Sequence, residues 1–305
     1  MARVLVAGGG GFIGRALVAR LLARHDQVTI LTRGATGERD GLHWLHWEPQ
    51  SPAEPRLSDA FDAFVNLAGE PAVGVRYTER TKARILASRV DSTAWLVRAI
   101  ERAEHKPRVF VAGSAIGYYG SALDAPRVDE SAPAGADFLA QVCVAWEAAA
   151  ERAEVFGVRV VRARTGIVLG EGGGALESLL RPFKLFVGGP IGSGRQGFSW
   201  IHLDDEVAAL LRCIHDDSLR GAVNLCAPEP VSNAELSRVI GELLHRPASL
   251  RAPGFALKAL FGEGAEPLLG GQWGVPRALW QAGFEFRYAE IRSALRAVLG
   301  VEQRR

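Results

Sequence analysis

The pattern of hydrophobic positions at the start of the chain predicts a buried strand, a glycine turn and a helix. Residues 4–7 are an uninterrupted apolar run, residues 8–14 read GGGGFIG, and residues 15–22 carry the apolar face of a helix. Such a unit directs backbone N–H groups and the positive end of the helix dipole at one point. An anion is favoured there, and a dinucleotide pyrophosphate is the usual one.

Three glycines of this turn have separate predicted roles. Gly8 supplies the tight turn, Gly11 lets the backbone approach the phosphates, and Gly14 lets the helix pack closely on the strand. The spacing is G-x-x-G-x-x-G, although Gly9 and Gly10 obscure the register. The alternative is a turn without a ligand, which the entropic cost of four consecutive glycines disfavours. The predicted cofactor contacts in this turn are Gly8, Gly11, Phe12, Ile13 and Gly14.

The same alternation of apolar runs and helical segments continues and predicts the fold class. Six strands alternate with helices up to residue 163, which indicates an α/β fold with a doubly wound, Rossmann-like parallel sheet. The third of these strands is short and lies within residues 34–60, where we expect Trp44 and Trp47 to serve packing. The clearest helices are predicted over 78–101 and 138–156.

The pattern loosens after residue 170 and predicts a second unit. We divide the chain into a dinucleotide-binding domain, residues 1–170, joined by a strand and helix near 198–228, and a smaller, mostly helical lobe over 171–305. Asp204 and Asn233 are the predicted N-caps of two helices there. The glycine loops near 170–174 and 188–194 either cradle an anion or are simply turns.

The end of the second predicted strand bears on the choice of cofactor. NAD-binding proteins place an acidic residue there to bond the ribose 2′-hydroxyl, whereas this chain has Thr32 and Arg33. A guanidinium suits a 2′-phosphate and a carboxylate would repel it. We therefore predict NADP(H) rather than NAD(H), the alternative being that Arg33 is a solvated surface arginine.

Composition and charge exclude several classes of function. The chain has 36 Lys and Arg against 34 Asp and Glu, and the only basic pair at an end is Arg304–Arg305, so we expect no nucleic-acid partner. Its three cysteines have no metal-ligand spacing, which indicates a reducing, cytoplasmic location and no metal site. No run reaches the ~18–20 apolar residues of a membrane helix, so we expect no membrane partner.

Several further segments carry a resemblance to a family. They are VAGGGGFIG (6–14), VNLAGEP (65–71), AGSAIGYYG (112–120), RTGIVLGEGGG (164–174) and SWIHLDD (199–205). With these motifs the chain resembles the extended short-chain dehydrogenase/reductases over essentially its whole length. Within them it resembles the atypical epimerase-family, or nucleotide-sugar-epimerase-like, proteins. Residues 270–286 look like that group's own C-terminal module.

The resemblance implies further cofactor contacts. The end of the fourth strand contributes small residues where a backbone approaches a ligand, and the turn after the sixth strand is where family members meet the nicotinamide carboxamide. Arg89 stands where the family has an asparagine, and we expect it to bind the cofactor phosphates, form a structural ion pair or act as an electrophile. The added contacts are Leu67, Ala68, Gly69, Arg89, Thr165 and Ile167.

The resemblance also implies catalytic residues, some of which differ here. Family members carry a Tyr-x-x-x-Lys pair, and this chain offers Leu139 and Cys143 at those positions. Neither performs that proton transfer, because leucine has no proton and an ordinary thiol is neutral at pH 7. Ser114 matches the family's substrate-polarising hydroxyl. Tyr119, or its neighbour Tyr118, is the replacement proton donor we consider.

We predict non-catalytic roles for two ionisable residues near these motifs. We expect Glu147 to be a solvated or capping carboxylate. His202 is expected to be a structural histidine satisfied by hydrogen bonds.

Two functions remain open at this point. One is an NADP(H)-dependent oxidoreductase or epimerase-like enzyme acting on a small substrate, with nucleotide-linked compounds among the candidates and Ser114 orienting a carbonyl or hydroxyl. The other is a catalytically silent NADP(H)-binding sensor or interaction protein, which Leu139 and Cys143 favour. We also expect a homodimer as a possible assembly.

Overall fold

A computed structural model describes residues 1–51, 55, 57 and 59–301. The basic pair Arg304–Arg305 lies outside the described residues. The elements of the first half are β1 (Arg3–Ala7), α1 (Phe12–Ala23), β2 (Gln27–Thr32), β3 (Gly37–Arg39), β4 (Leu42–His46), β5 (Ala63–Asn66), α2 (Glu79–Arg102), β6 (Val109–Ala115), β7 (Arg127–Val128) and α3 (Phe138–Glu151).

The second half contains more short elements. They are β8 (Arg159–Thr165), β9 (Ile167–Leu169), α4 (Leu176–Lys184), β10 (Gly197–Phe198), β11 (Trp200–His202), α5 (Leu203–His215), β12 (Gly221–Leu225), β13 (Val231–Ser232), α6 (Asn233–Leu244), α7 (Gly254–Phe261), α8 (Glu266–Leu269), β14 (Trp273–Gly274), α9 (Arg277–Gln281) and α10 (Ile291–Leu299). Turns of 3-10 helix follow β6, α3 and α7, at Ile116–Tyr119, Arg152–Phe156 and Gly262–Ala265.

Eight strands form the central sheet, in the order β12-β8-β6-β5-β1-β2-β4-β3. All neighbouring pairs are parallel except β3 with β4, which run antiparallel at the edge. The chain first winds outward from β1 through β2 and β4, and then in the other direction from β5 through β6, β8 and β12. The switch point therefore lies between β1 and β5, where the doubly wound fold places its ligand cleft. The predicted Rossmann-like α/β class is confirmed.

Alternate residues of the central strands fill two separate cores. Val4 and Val6 of β1 face a core shared with α1 and α5, whereas Leu5 and Ala7 face a core shared with α2. Continuous apolar runs are expected of parallel strands buried on both faces. A third core lies between α4, α6 and α10. The division of the chain into a larger domain and a smaller lobe stays a prediction. The described helices include none long and apolar enough to cross a membrane.

The opening turn brings α1 unusually close to β1. Gly8 has φ +79°, and a Cβ on it would lie 2.6 Å from the carbonyl carbon of Leu67, the first residue after β5. A Cβ on Gly14 would lie 2.1 Å from the carbonyl oxygen of Gly8. Both positions therefore require glycine, one for its backbone conformation and both for space.

The structure corrects several local predictions. The short third strand is a hairpin of two strands, β3 and β4. The side chain that caps α5 is His202, whose Nδ1 accepts the Asp204 N–H at 3.0 Å, so Asp204 is not the N-cap. Ser232 caps α6 in place of Asn233, through its hydroxyl and the N–H of Glu235.

The glycine packing leads to a stability prediction. We expect Gly14→Ala to lower the free energy of unfolding by roughly 2–3 kcal/mol or to prevent folding, because the added methyl group has no room without moving the backbone. Gly10→Ala is the matched control in the same turn, since its Cβ would only touch the Trp44 ring at 3.9 Å. Chemical denaturation measures both, and equal stabilities would contradict the packing argument.

Candidate active site

A cleft of about 1110 Å³ opens at the switch point between β1 and β5. Its walls come from the opening turn, the end of β2, the end of β5 and one side of α2. Predicted cofactor contacts that line it are Gly8, Gly11, Thr32, Arg33, Leu67, Ala68 and Gly69.

The floor of this cleft suits a phosphate group. Gly11 precedes α1 and has no side-chain hydrogen bond to cap the helix, and the first turn of α1 carries no acidic residue. The first N–H groups of the helix are therefore not capped by a side chain. A Cβ on Gly11 would approach only the Gly8 carbonyl oxygen, at 3.2 Å, so the backbone is bare on this side. An anion fits this turn by both charge and space.

Arg33 lines the cleft at the end of β2 and is exposed. It has no ion-pair partner within the described part of the chain. Trp44, which we expected to serve packing only, also lines the cleft, with the Arg39 guanidinium 5.7 Å from its ring centroid. Trp47 also lines the cleft, but it is buried and packs edge-on against Trp95, as a packing residue would.

The remaining predicted cofactor contacts do not line the described cleft. Phe12 lies under the glycine loop after β9, because a Cβ on Gly173 would be 2.7 Å from its ring. Ile13 and Gly14 belong to the body of α1. Thr165 donates to Glu206 Oε1 at 2.9 Å, and Ile167 is opposite Trp200 in a two-stranded parallel pair.

Packing explains the two glycine loops whose role was left open. Cβ atoms on Gly173 and Gly174 would collide with the Phe12 ring. In the second loop, a Cβ on Gly188 would meet the Phe183 ring at 2.3 Å, and one on Gly189 would meet the Leu250 backbone at the same distance. These contacts favour the simple-turn alternative over an anion cradle.

Ser114 belongs to a buried charged cluster at the ends of β6 and β8. Its Oγ donates to Glu147 Oε1 at 2.6 Å. Arg164 binds both oxygens of the same carboxylate, through Nε at 2.8 Å and Nη2 at 2.9 Å, and both side chains are 3% exposed. Arg162 adds a longer contact at 3.4 Å. Glu147 is therefore neither solvated nor a cap, which corrects our expectation. The single proton of Ser114 is directed into the protein.

Tyr119 extends the same cluster. It accepts a hydrogen bond from Arg164 Nη1 at 2.9 Å and donates its own proton to Asn224 Oδ1 at 2.8 Å. Burial raises the pKa of its hydroxyl to about 12. The ring of Tyr118 lies against the Arg164 guanidinium, at 3.4 Å from centroid to carbon. These contacts favour a structural role for Tyr119, whose part as a proton donor stays a prediction.

Cys143 and Arg89 meet beside this cluster. Cys143 is buried, its Sγ lies 3.8 Å from the Ala115 carbonyl oxygen, and desolvation raises the pKa of its thiol to about 11, so the thiol is neutral. The half-buried Arg89 guanidinium stacks 5.2 Å from the Trp146 ring centroid and packs against Gly69. Among the described residues it has no carboxylate partner, and burial lowers its pKa. A cation without a counterion beside Gly69 is suited to an anionic group.

Glu206 is a buried acid that the sequence reasoning missed. It is 0% exposed in the first turn of α5, and its only described partner is the Thr165 hydroxyl, on Oε1; Oε2 has none in the described structure. Burial raises its pKa to about 8. The carboxyl group is therefore mainly neutral at pH 7.

His202 has the structural role expected of it. Its Nδ1 caps α5, its ring stacks 3.9 Å from the Tyr288 ring centroid, and burial lowers its pKa.

A signal for the Glu147 cluster was present in the sequence. Arg162 and Arg164 are two apart on β8 and therefore share one face, while Glu147 and Glu151 are four apart on α3. Arg162 bonds to Glu151 as well as to Glu147. Paired arginines inside an apolar strand, next to paired glutamates on the preceding helix, predict a buried ion-pair cluster.

Comparison with known proteins gives two family matches. Residues 4–226 match the model of the NAD dependent epimerase/dehydratase family, and residues 252–298 match a domain of unknown function, DUF1731. The epimerase family protein SDR39U1 homolog, chloroplastic, of Arabidopsis thaliana is 40% identical over 302 residues, covering 97% of this chain and 86% of the relative.

Comparison with solved structures agrees with the family match. A crystal structure of human epimerase family protein SDR39U1 (isoform 2) with NADPH has a TM-score of 0.88 and 35% identity, covering 98% of this chain and 100% of that one. MoeE5 in complex with UDP-glucose and NAD has a TM-score of 0.77 and 22% identity, covering 98% and 97%, and thus shares the fold.

The buried acid leads to a prediction on pH. The pKa of Glu206 rises from 4.5 to about 8 on folding, so the folded protein keeps a proton that the unfolded chain loses between these values. Wild-type stability therefore falls as pH rises through this window, by up to about 1.4 kcal/mol per pH unit. Glu206→Gln has no such titrating proton. We therefore expect the free energy of unfolding of this variant, relative to that of wild type, to increase from pH 5 to pH 8.

Denaturation at a series of pH values measures this difference. Glu177→Gln, an exposed first-turn glutamate of α4, is the matched control and is expected to follow the wild-type curve. Parallel curves for Glu206→Gln and wild type would refute a neutral Glu206.

Proposed function

Because the chain belongs to the NAD dependent epimerase/dehydratase family, we propose that it binds NADP(H) in the switch-point cleft and works as an oxidoreductase or epimerase-like enzyme on a small molecule. A nucleotide-linked compound is the substrate class we favour. The observation that carries the cofactor proposal is the bare, uncapped N-terminus of α1 in a cleft that Arg33 also lines. We expect the protein to work in the cytoplasm, in keeping with its three free, buried cysteines.

The preference for NADP(H) rests on charge. No acidic residue ends β2, and the exposed Arg33 lines the cleft where the 2′-phosphate would bind. The relative from human was solved with NADPH, which supports the same choice. Bound nicotinamide supplies the hydride chemistry. The chain supplies the backbone N–H groups of the first turn of α1, which no side chain caps, and the Arg33 and Arg89 guanidinium groups for its phosphates.

The hydrogen bonds within the Ser114 cluster determine which hydrogen bond Ser114 can make with a substrate oxygen. Ser114 already donates its proton to Glu147, so its remaining lone pairs can accept a hydrogen bond from a substrate but it has no proton left to donate. We infer that the substrate presents a hydroxyl group to Ser114. Arg89 is the nearby cation whose charge is not balanced by a carboxylate among the described residues.

A second function is favoured by the same contacts. The hydroxyl groups of Ser114 and Tyr119 already donate hydrogen bonds to side chains of the protein, to Glu147 and Asn224 respectively. The neutral thiol of Cys143 occupies one position of the family's Tyr-x-x-x-Lys pair. A protein with this arrangement binds NADP(H) without turnover. It then acts as a sensor or interaction protein.

The cofactor proposal predicts a selective loss. We expect Arg33→Ala to weaken NADPH binding about tenfold or more, the value of a charge-assisted hydrogen bond, and NADH binding much less. Arg3→Ala, at the opposite end of β1, is the matched exposed control and should leave both affinities unchanged. Titration calorimetry measures all three proteins. Equal losses for the two cofactors would show that Arg33 does not meet the 2′-phosphate.

The catalytic proposal predicts a separation of binding from turnover. Oxidation or formation of NADPH is followed by absorbance with a panel of carbonyl and hydroxyl compounds. Ser114→Ala should retain NADPH affinity within about threefold while abolishing any turnover found, since its hydroxyl is directed at Glu147 and not at the cleft floor. Tight NADPH binding by wild type without turnover on any compound would favour the sensor function.

A further inference from the structure

Large hydrophobic side chains are exposed on two segments of the smaller lobe. One segment is the loop directly after α4, and the other runs from residue 250 to the end of α7. We call these side chains the apolar patch. Its members and their exposed fractions are Leu185 66%, Phe186 58%, Val187 49%, Leu250 59%, Phe255 79% and Leu260 62%.

Backbone contacts hold the two segments together. The Leu250 N–H donates to the Gly188 carbonyl at 3.2 Å, and the Ala252 N–H donates to the Pro190 carbonyl at 3.0 Å. Across the same boundary, the Arg246 guanidinium lies 4.3 Å from the Phe186 ring centroid. The two segments therefore form one surface.

The exposure of this patch is built into the fold. Phe186 has φ +61°, in the left-handed region that bulky residues avoid, and its side chain still points to solvent. Helix α7 has no buried residue at all, although four of its eight residues are Phe or Leu. A helix of this composition without a buried face requires a partner of its own.

The sequence segments that carry the patch contain basic residues and no acidic ones, and Glu177, Glu242 and Glu263 stand just outside them. Residues 178–194 and 243–262 contain none of the chain's 34 acidic residues, although the chain as a whole is nearly balanced at +2. None of the basic residues in these segments forms an ion pair with another described residue. They are Arg181, Lys184, Arg246, Arg251 and Lys258.

We propose that the apolar patch and its five basic residues dock the protein on the surface of an anionic lipid bilayer. Apolar side chains beside Lys and Arg, without acidic residues, are the features of a segment that lies in a membrane interface. A side chain such as Phe255, 79% exposed, protrudes, and so suits insertion into a fluid layer. Protein partners instead anchor their central side chains in well-packed pockets.

The expectation of no membrane partner came from the lack of a long apolar segment. That argument concerns spanning a bilayer, and no described helix can span one. Docking needs only a surface, so the proposal replaces the expectation of no membrane partner and leaves the finding on spanning helices unchanged. The proposal does not depend on the cofactor or on turnover.

Vesicle co-sedimentation tests the proposal. We expect the wild-type chain to bind vesicles of phosphatidylcholine and phosphatidylglycerol in a two-to-one ratio and to stay unbound with pure phosphatidylcholine. Phe255→Glu should reduce the partition coefficient at least tenfold, and so should the double change Arg251→Glu with Lys258→Glu. Val155→Glu is the matched control, because Val155 is also 79% exposed but lies in the turn after α3.

Other outcomes would overturn the proposal. Failure of the wild type to bind the anionic vesicles is one, and an equal loss in Val155→Glu is another. Self-association in sedimentation velocity that Phe255→Glu abolishes, without vesicle binding, would assign the patch to a second copy. Chemical denaturation of Phe255→Glu and wild type serves as the folding check, and equal midpoints show that the changed side chain has not unfolded the protein.

Discussion

The structure depends first on the missing side chains of Gly8 and Gly14. Gly14 lets α1 press against the Gly8 carbonyl, and Gly8 lets the same turn press against the chain leaving β5. These contacts fix the start of α1 at the switch point of the sheet, and they point its uncapped N–H groups into the cleft. A methyl group on Gly14 would push the helix away from the strand, and one on Gly8 would push the turn away from the chain leaving β5. The shape of the cleft and the stability of the fold thus rest on the same two residues.

The second constraint is electrostatic and lies on the other side of the switch point. Burying Glu147 and Arg164 together costs several kcal/mol of desolvation per ion, which only good geometry offsets. Arg164 binds the Glu147 carboxylate in a bidentate geometry, and Ser114 and Arg162 donate further hydrogen bonds to the same carboxylate. Removing one member would leave a buried charge without its counterion. This cluster therefore holds the ends of β6 and β8 in position against α3, and it fixes the direction of the Ser114 hydroxyl.

Periodicity allowed the sheet and its main helices to be predicted, because parallel strands buried on both faces read as apolar runs. Caps were less predictable. His202 and Ser232 take the roles assigned to Asp204 and Asn233, since several adjacent residues can each cap a helix and only the backbone path selects one. Glu147 was misjudged because its partners are 15 and 17 residues away on another element. The paired arginines on β8 and the paired glutamates on α3 were the sequence signal for this cluster, but the sequence does not give the distance between the two elements.

Within the enzyme hypothesis, carbonyl reduction and alcohol oxidation differ in the protein group that must contact the substrate oxygen. Reduction of a carbonyl needs a proton donor at that oxygen, and the hydroxyl protons of Ser114 and Tyr119 both go to internal acceptors. Oxidation of an alcohol needs a base for the hydroxyl proton, and Ser114 takes that proton only by passing its own to the Glu147 carboxylate that it already faces. The half-buried Arg89 can balance the negative charge that develops when the substrate proton leaves. The contacts of the cluster therefore favour hydroxyl substrates over the carbonyl reduction that the Ser114 motif alone suggests.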